Sequence, residues 1–179
     1  MQNATHPIAP TLDTERLTLR AHTPADFDEC AEMWGDPRVT EFIGGRPSTA
    51  EEAWTRVLRY AGMWALLGFG YWVVRERDTG RFVGEVGFAD FRREVTPPLD
   101  APEAGWVLAP WAHGRGYATE AVRAALAWGD AHLAAPRTVC MIAPENAASI
   151  RVAQKLGFHE FARTRFKGDD TLLFQRPRG

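Results

Sequence analysis

The sequence predicts one mixed α/β domain, and three observations carry that expectation. Apolar residues alternate at period two, or run continuously, over 16–21, 71–76, 82–88, 103–108 and 137–143, as they do in strands. Apolar residues recur at helical spacing over 50–66 and 117–132. In the middle of the chain a strand, a glycine-rich turn, a helix and another strand follow in order, which predicts a parallel pair joined by a right-handed crossover. The whole order, β-α-α-β-β-β-α-β-α-β-β, gives about seven strands and about four helices.

Residues 1–11 are rich in proline and polar residues and are expected to be a flexible tail; residues 12–177 are expected to form the domain. Arg-Leu-Thr-Leu-Arg-Ala at 16–21 is the first strand. Thr23 as N-cap, Pro24 at N1 and Asp26 at N3 then start a helix that runs to about Trp34 and stops at Gly35-Asp36-Pro37. Ser48 with Glu51 three residues on reads as a capping box. The helix it opens carries Ala53, Trp54, Val57, Leu58, Ala61 and Trp64 on one face and ends at Gly68-Phe69-Gly70. Strands at 71–76 and 82–88 form a hairpin about Asp78-Thr79-Gly80-Arg81. Residues 92–102 are a loop, because their three prolines lack a ladder donor. A strand over 103–108 precedes the glycine turn. The helix over 117–132 shows small residues (Ala118, Ala121, Ala125, Gly129) toward the sheet. A strand at 137–143 and a helix at 146–156 stopped by Gly157 follow. Strands at 158–165 and 171–175 close the chain.

Composition narrows the function. The 179 residues are 45% hydrophobic and 25% charged, as expected of a soluble globular protein. A net charge of −2 gives no basic field for nucleic acid or for a membrane surface. No apolar stretch approaches the roughly 20 residues of a spanning helix, and residues 1–11 lack an export-signal pattern, so a cytoplasmic location is expected. Two cysteines, Cys30 and Cys140, are too few for a disulfide framework and read as buried inert thiols. No cluster has metal-ligand spacing, so no metal is expected. Of the seven tryptophans, Trp54, Trp106 and Trp128 read as core, whereas Trp34, Trp64 and Trp72 read equally as walls of a substrate groove.

The most informative segment is Trp111-Ala-His-Gly-Arg-Gly-Tyr-Ala-Thr-Glu-Ala-Val122. Two glycines sit one residue apart between a strand and a helix. The first backbone N–H groups of a helix have no partner within it, and the helix dipole adds positive potential, so this segment predicts an anion cradle. A dinucleotide fingerprint would need a third glycine where Thr119 stands and an acid about 20 residues on; neither is present. A P-loop would need Gly-Lys-Ser/Thr, which is also missing.

A second signature lies downstream, Asn146-Ala-Ala-Ser-Ile-Arg-Val-Ala-Gln-Lys-Leu-Gly-Phe158. With it, His113-Gly114-Arg115-Gly116-Tyr117-Ala118 resembles the pyrophosphate-binding motif of the GNAT superfamily of acyl-CoA-dependent N-acetyltransferases: Gln or Arg, two variable residues, Gly, one variable residue, Gly or Ala. Ala118-Thr119-Glu120-Ala121, the 146–158 run and Thr14-Glu-Arg-Leu-Thr-Leu-Arg20 resemble the ribosomal-protein-alanine N-acetyltransferase branch. The resemblance covers 14 to about 175. His113 departs from it, standing where Gln or Arg is usual, and Ala153 stands where the superfamily often has a tyrosine proton donor.

The resemblance implies a GNAT-like fold: a twisted, mostly antiparallel sheet whose fourth and fifth strands splay apart in a V. Acetyl-CoA is the implied donor. Its pyrophosphate is expected on His113, Gly114, Arg115, Gly116, Tyr117, Ala118 and Thr119, and its pantetheine arm on the splayed edge at Val107, Leu108 and Ala109, with Asn146 across from it. Asn146 also reads as an ordinary helix cap. The branch implies Ser149 as a proton donor to the thiolate, though a first-turn serine also simply caps. Glu103, heading the splayed strand, and Glu85, inside an apolar strand, are the candidate bases; either also reads as an ordinary strand charge.

The chemistry needs a neutral amine. At pH 7, freeing a lysine amine (pKa about 10.4) costs about 4.6 kcal/mol, and a peptide α-amine (pKa about 8) about 1.4 kcal/mol. The expected reaction is direct attack in a ternary complex, with a protein or peptide N-terminus as favoured acceptor. A small amine (polyamine, amino acid or aminoglycoside) is the alternative, and a non-catalytic acyl-CoA sensor a third reading. Asp26, Asp28, Glu29, Glu32 and Asp36 on the first helix would suit a cationic antibiotic, or form a solvated face. Monomer and homodimer remain open.

Overall fold

A computed structural model describes residues 8–179, so the first seven residues of the tail expected at 1–11 lie outside the described residues. Ala9 is buried in the core, and the Pro10 carbonyl accepts a hydrogen bond from Trp72 Nε1 at 2.8 Å. The packed chain therefore begins before Leu12.

One sheet of eight strands forms the body, in the order β1-β2-β3-β4-β5-β6-β8-β7. The strands are β1 (Leu12–Asp13), β2 (Leu17–Arg20), β3 (Tyr71–Glu76), β4 (Phe82–Ala89), β5 (Glu103–Leu108), β6 (Arg137–Ile142), β7 (His159–Phe166) and β8 (Asp169–Pro177). Every pair is antiparallel except β5 with β6. The strand added to the expected seven is the two-residue β1, too short to show a period in sequence. The helices are α1 (Phe27–Gly35), α2 (Pro37–Thr40), α3 (Ala50–Leu67), α4 (Tyr117–His132) and α5 (Ala147–Lys155). Asp36, expected only to end α1, also caps α2 by accepting from Arg38 N–H at 2.8 Å. Asp26 does accept from Thr23, from its N–H at 2.8 Å and its hydroxyl at 2.9 Å, but on a 3₁₀ turn, Pro24–Asp26, that leads into α1.

The cap of α3 is one residue later than the sequence suggested. Thr49 accepts from Glu52 N–H at 3.2 Å and the Glu52 carboxylate accepts from Thr49 N–H at 2.8 Å, so the box is Thr49/Glu52, not Ser48/Glu51. Ser48 N–H is instead bonded to the Trp34 carbonyl. Both pairs satisfy the spacing, and only the backbone dihedral at the cap distinguishes them.

The sheet separates two packing layers. α4 covers one face with Ala121, Val122, Ala125 and Leu126, against Leu17, Leu19, Trp72, Val86 and Phe88. Its small residues allow a close approach: a Cβ at Gly129 would stand 2.8 Å from the Phe88 ring. α1 and α3 cover the other face, where Cys30, Met33, Trp34, Ala53 and Val57 pack with Val73 and Phe82. The tryptophans left open between core and groove belong to the core, and the three expected in the core pack against it from its margin. Trp34, Trp64 and Trp72 are at most 4% exposed, whereas Trp54, Trp106 and Trp128 are only partly buried. Trp64, Trp72 and Trp128 meet edge-to-face at 4.8–5.3 Å, pairs each worth about 0.5–1.5 kcal/mol beyond burial. Cys30 and Cys140 are buried and unbridged. Among the described residues no helix is long and apolar enough to cross a membrane.

Candidate functional site

The site is built where the sheet opens. β5 pairs with β4 along its whole length, from Gly84↔Leu108 to Ala89↔Glu103. With parallel β6 it makes one pairing, Glu103↔Val139, where Val139 N–H donates to the Pro102 carbonyl at 3.0 Å. Beyond that point the two strands separate, which is the V expected between the fourth and fifth strands (β5 and β6 once β1 is counted). Ala109 N–H donates to the Val83 carbonyl at 2.9 Å. Because backbone groups alternate sides along a strand, Val107 and Ala109 turn theirs to β4, and Trp106 and Leu108 turn theirs into the gap. Of Val107, Leu108 and Ala109, Leu108 alone offers its backbone to the opening, and Trp106 joins it.

At the far end of β5 the chain makes a short 3₁₀ turn, Pro110–Ala112, and enters the glycine loop. Gly114 and Gly116 have φ of 74° and 79°, a region open to glycine at little cost. Gly116 is the N-cap of α4 and carries no side chain, and the first helical bond runs from Glu120 N–H to the Gly116 carbonyl at 3.1 Å. The N–H groups of Tyr117, Ala118 and Thr119 are therefore not consumed by the helix. Three guanidinium groups lie on the aromatic rings of this segment, and one of them, Arg16, is ion-paired with Glu120. Arg16 lies over the Tyr117 ring at 4.6 Å and donates to the Arg115 carbonyl at 3.0 Å. Arg81 and Arg115 lie over Trp111 at 3.7 and 5.5 Å. Free helix-terminal donors, two glycines and three arginines fit a diphosphate. His113 is exposed, but its Nε2 lies 2.9 Å from the Leu108 carbonyl and ties the loop to the mouth of the V.

Across the gap, β6 hands over to α5. Asn146 caps α5, its Oδ1 accepting from Ser149 N–H at 3.0 Å, so the capping role holds and leaves its amide NH₂ free of a protein partner. Ser149 stands partly exposed in the first turn of the same helix.

The two candidate bases lie on the α1/α3 face, four residues of strand apart. Glu103 receives two hydrogen bonds from Arg93, Nε at 2.6 Å and Nη2 at 2.9 Å, and Arg93 also stacks on Phe91 and Phe166. This pins loop 92–102 to the apex of the V. Beside it, Phe69, Arg92, Arg93, Pro98, Leu99 and Pro102 line a cleft of about 480 Å³. Glu85 is fully buried. It lies between Val73 on β3 and Val107 on β5 and accepts from Trp34 Nε1 at 2.7 Å. His22 Nε2 lies 2.8 Å, and Cys30 Sγ 3.4 Å, from its other oxygen. Burial first, then the negative charge of Glu85, pushes the Cys30 thiol far up, so it stays a neutral donor. Tyr71 lies over β5 so closely that a Cβ at Gly105 would fall 1.9 Å from its hydroxyl. Tyr60 stacks on Tyr71 at 4.3 Å, and burial raises both phenols above their ordinary value.

The acids of the first helix are mostly spent on structure. Asp26 is buried between Arg20 and Arg75, Glu29 pairs with Arg75, and Asp36 pairs with Arg38. Only Asp28 and Glu32 remain exposed there without an ion pair. His22, Cys30 and Trp34 were not foreseen as neighbours of Glu85, and no local signal exists for them: they lie 63, 55 and 51 residues away in sequence.

An acetyltransferase (GNAT) domain profile matches residues 16–159. The chain belongs to the GNAT acetyltransferase family. It is similar to a Bordetella pertussis structure described by its GnaT family alone (36% identity, TM-score 0.82, covering 94% of this chain and 99% of that one). An acetyltransferase from Agrobacterium tumefaciens is 31% identical with a TM-score of 0.79, over 93% of this chain and 94% of that one. The uncharacterised N-acetyltransferase p20 of Bacillus licheniformis is 29% identical over 84% of this chain and 83% of its own length. The fold alone is shared with the ribosomal-protein-S5-alanine acetyltransferase of Vibrio fischeri (19%, TM-score 0.77, 95% and 97% covered). It is likewise shared with the spermidine N-acetyltransferase of Vibrio cholerae, solved with CoA and spermine (17%, TM-score 0.73, 92% and 97% covered). This GNAT protein is thus an acyl-CoA-dependent acetyltransferase, and the proteins that share its fold include one named for a ribosomal-protein alanine and one named for spermidine.

Proposed function

We propose that this GNAT protein transfers an acetyl group from acetyl-CoA to the α-amine of a protein or peptide N-terminus, by direct attack in a ternary complex. Tyr117, Ala118 and Thr119 N–H groups, with Arg16, Arg81 and Arg115, hold the pyrophosphate. Gly114 and Gly116 let it approach the backbone, and His113 holds the loop against β5. Leu108 and Trp106 backbone groups, with the free Asn146 amide opposite, receive the pantetheine arm. Glu85 belongs to the proton-accepting side, Ser149 supplies a proton toward the leaving thiolate, and Glu103 holds loop 92–102.

One observation carries the choice of acceptor. The acids around the cleft are each paired with arginine: Glu103 with Arg93, Asp90 with Arg92, and Asp100 with Arg137. A polyamine or aminoglycoside carries several positive charges and needs free carboxylates. A peptide terminus carries one amine, and its low deprotonation cost of about 1.4 kcal/mol at pH 7 asks little of a buried base. The domain takes in residues 12–177 together with the packed Ala9 and Pro10, acts in the cytoplasm as a monomer or homodimer, and needs no metal, nucleic acid or membrane.

The test is release of free thiol from acetyl-CoA with a panel of amines: an alanine-initiated peptide, free alanine, spermidine and an aminoglycoside. The peptide is expected to give the highest kcat/KM. Faster turnover of spermidine or the aminoglycoside overturns the acceptor assignment. CoA binding without turnover of any amine overturns the enzyme assignment in favour of a sensor.

A further inference from the structure

We propose that Arg56 and Arg59 of α3 recognise a carboxylate that the acceptor carries close to its amine, which makes acidic peptides the preferred acceptors. This rests on the N-terminal acetylation reading above. The two residues stand one helical turn apart, so their side chains share a face of α3. Arg56 lies over the Trp34 ring at 3.6 Å, and the N–H of that indole is the one that holds Glu85. Arg59 lies over the Phe91 ring at 5.1 Å, and Arg93, which grips Glu103, lies on the same ring at 4.5 Å. One guanidinium is thus a single ring away from Glu85, and the other a single ring away from the latch at the apex of the V. Arg93 is itself a wall of the cleft beside that apex. Tyr60 lies between the two arginines and stacks on Tyr71, whose hydroxyl lies against Gly105 of β5. Burial raises the Tyr60 phenol, Glu85 adds to the rise, and both cations oppose it.

Both guanidinium groups keep their charge without a counter-ion. Among the described residues neither has a carboxylate partner. Glu52, one turn before Arg56, is held by Arg46. The carboxylates that line or head the cleft, Asp90, Asp100 and Glu103, are held by Arg92, Arg137 and Arg93. Glu85 is buried, with its oxygens engaged by Trp34, His22 and Cys30. The surplus charge on this side of the V is therefore positive.

Stacking occupies the face of a guanidinium and leaves its N–H donors, which point outward in the plane, free to fork onto a carboxylate. The rings fix where each fork points without using those donors. Arg56 Nε is buried with no partner, so this head group has lost part of its hydration. A charge partner on its remaining donors gains more there than on open surface. Arg59 is exposed, so an acceptor reaches it from solvent. A polycationic amine meets like charge at the same place, which matches the choice of a peptide over a polyamine.

The experiment measures kcat/KM with acetyl-CoA on alanine-initiated, C-terminally amidated peptides that are identical except for aspartate or asparagine at the second, third or fourth residue. The wild type is expected to favour aspartate about tenfold in at least one place, mainly through KM, and the preference is expected to shrink as salt rises. Arg56→Gln and Arg59→Gln are each expected to cut the aspartate-to-asparagine ratio about threefold or more, the double variant to bring it near one, and CoA affinity to stay within about twofold. The ratio compares two peptides on one enzyme. A merely structural role slows both alike and leaves it unchanged, and that result overturns the assignment. Arg59→Glu, a charge reversal at an exposed position, tests the pair without disturbing Trp34: it is expected to turn the preference toward lysine, and a retained aspartate preference overturns the role of Arg59. The Ala-Asn dipeptide, compared as free acid and as amide, shows whether a C-terminal carboxylate serves as well as a side-chain one. A wild type that acetylates the peptides without preference overturns the carboxylate site and leaves N-terminal acetylation standing. A wild type inert toward every peptide overturns both.

Discussion

Arg93 grips Glu103 with two nitrogens, at 2.6 and 2.9 Å, at the apex of the V. The glutamate that heads the splayed strand is therefore a latch for loop 92–102, both its oxygens taken by the fork of one guanidinium. Glu103→Gln is expected to weaken the latch, raising acceptor KM several-fold, while kcat stays within about threefold and its pH profile keeps its shape. Glu85→Gln is expected to do the opposite, lowering kcat about 100-fold with little change in KM. Steady-state kinetics on the two variants across pH separates the roles. A kcat collapse in Glu103→Gln alone would return the base to Glu103.

Gly116 is the pivot of the phosphate loop. Its φ of 79° is strained for any residue with a Cβ, at about 1–2 kcal/mol, and a Cβ there would stand 3.5 Å from Arg16 Nη2. Gly116→Val would force the loop to relax, moving the Tyr117, Ala118 and Thr119 N–H groups off the anion. CoA affinity by titration calorimetry is expected to fall at least tenfold, the equivalent of about 1.4 kcal/mol, with far-ultraviolet circular dichroism unchanged. Undiminished affinity would remove this loop as the phosphate site.

The contrast between these two predictions shows what was legible in sequence. Gly114 and Gly116 act through local backbone geometry, so their spacing before a helix reveals them directly. The parallel pairing of β5 and β6 was legible through the order of elements around the glycine turn, and its splay into a V only through the family the chain resembles. Glu103's latch was not, because Arg93 stands in a loop whose path depends on three prolines and on Phe91 and Phe166. The setting of Glu85 was not either. A glutamate in an apolar strand gives no sign of its partners when these come from His22, Cys30 and Trp34, folded over it from a distant part of the chain. Trp34 and Trp72 stayed undecided for the same reason: an indole reads alike as core or groove until its N–H finds a partner, here Glu85 and the Pro10 carbonyl.

Asp26 makes fold stability acid-sensitive. It is buried, and burial alone would raise its pKa, but hydrogen bonds from Arg20, Arg75 and Thr23 outweigh that and hold the carboxyl well below the usual range. A depressed folded pKa means the contribution is full above the unfolded value of about 4 and drains away as pH falls below it toward the folded value. Urea unfolding is therefore expected to show stability dropping below pH 4. Asp26→Asn should cost about 1–3 kcal/mol at pH 7, because it weakens the buried bonds from Arg20, Arg75 and Thr23 while Arg75 keeps its ion pair with Glu29, and should flatten that drop. An equally steep acid limb in the variant would show that other carboxyls dominate.

Glu120 couples the start of β2 to the phosphate loop. Its carboxylate accepts from Thr14 Oγ1 at 2.7 Å, Arg16 N–H at 2.9 Å and Arg16 Nε at 2.7 Å, while Arg16 reaches on to the Arg115 carbonyl. Its place in the first turn of α4 suits a negative charge. Burial works against ionisation, but the bonds from Thr14 and Arg16 win and lower its pKa, so the contact persists down to at least pH 5. CoA affinity is therefore expected not to weaken between pH 8 and 5 through loss of this contact. Glu120→Ala removes all the acceptors at once. It should destabilise the fold by about 1–3 kcal/mol and free Arg16 to swing off the Tyr117 ring, raising the CoA dissociation constant several-fold with kcat nearly unchanged. Glu120→Gln keeps one oxygen for Arg16 but sets its NH₂ against the Thr14 hydroxyl or the guanidinium, and should fall between the two. A Glu120→Ala protein that binds CoA as tightly as the wild type would mean that the glycine loop holds its shape without β2.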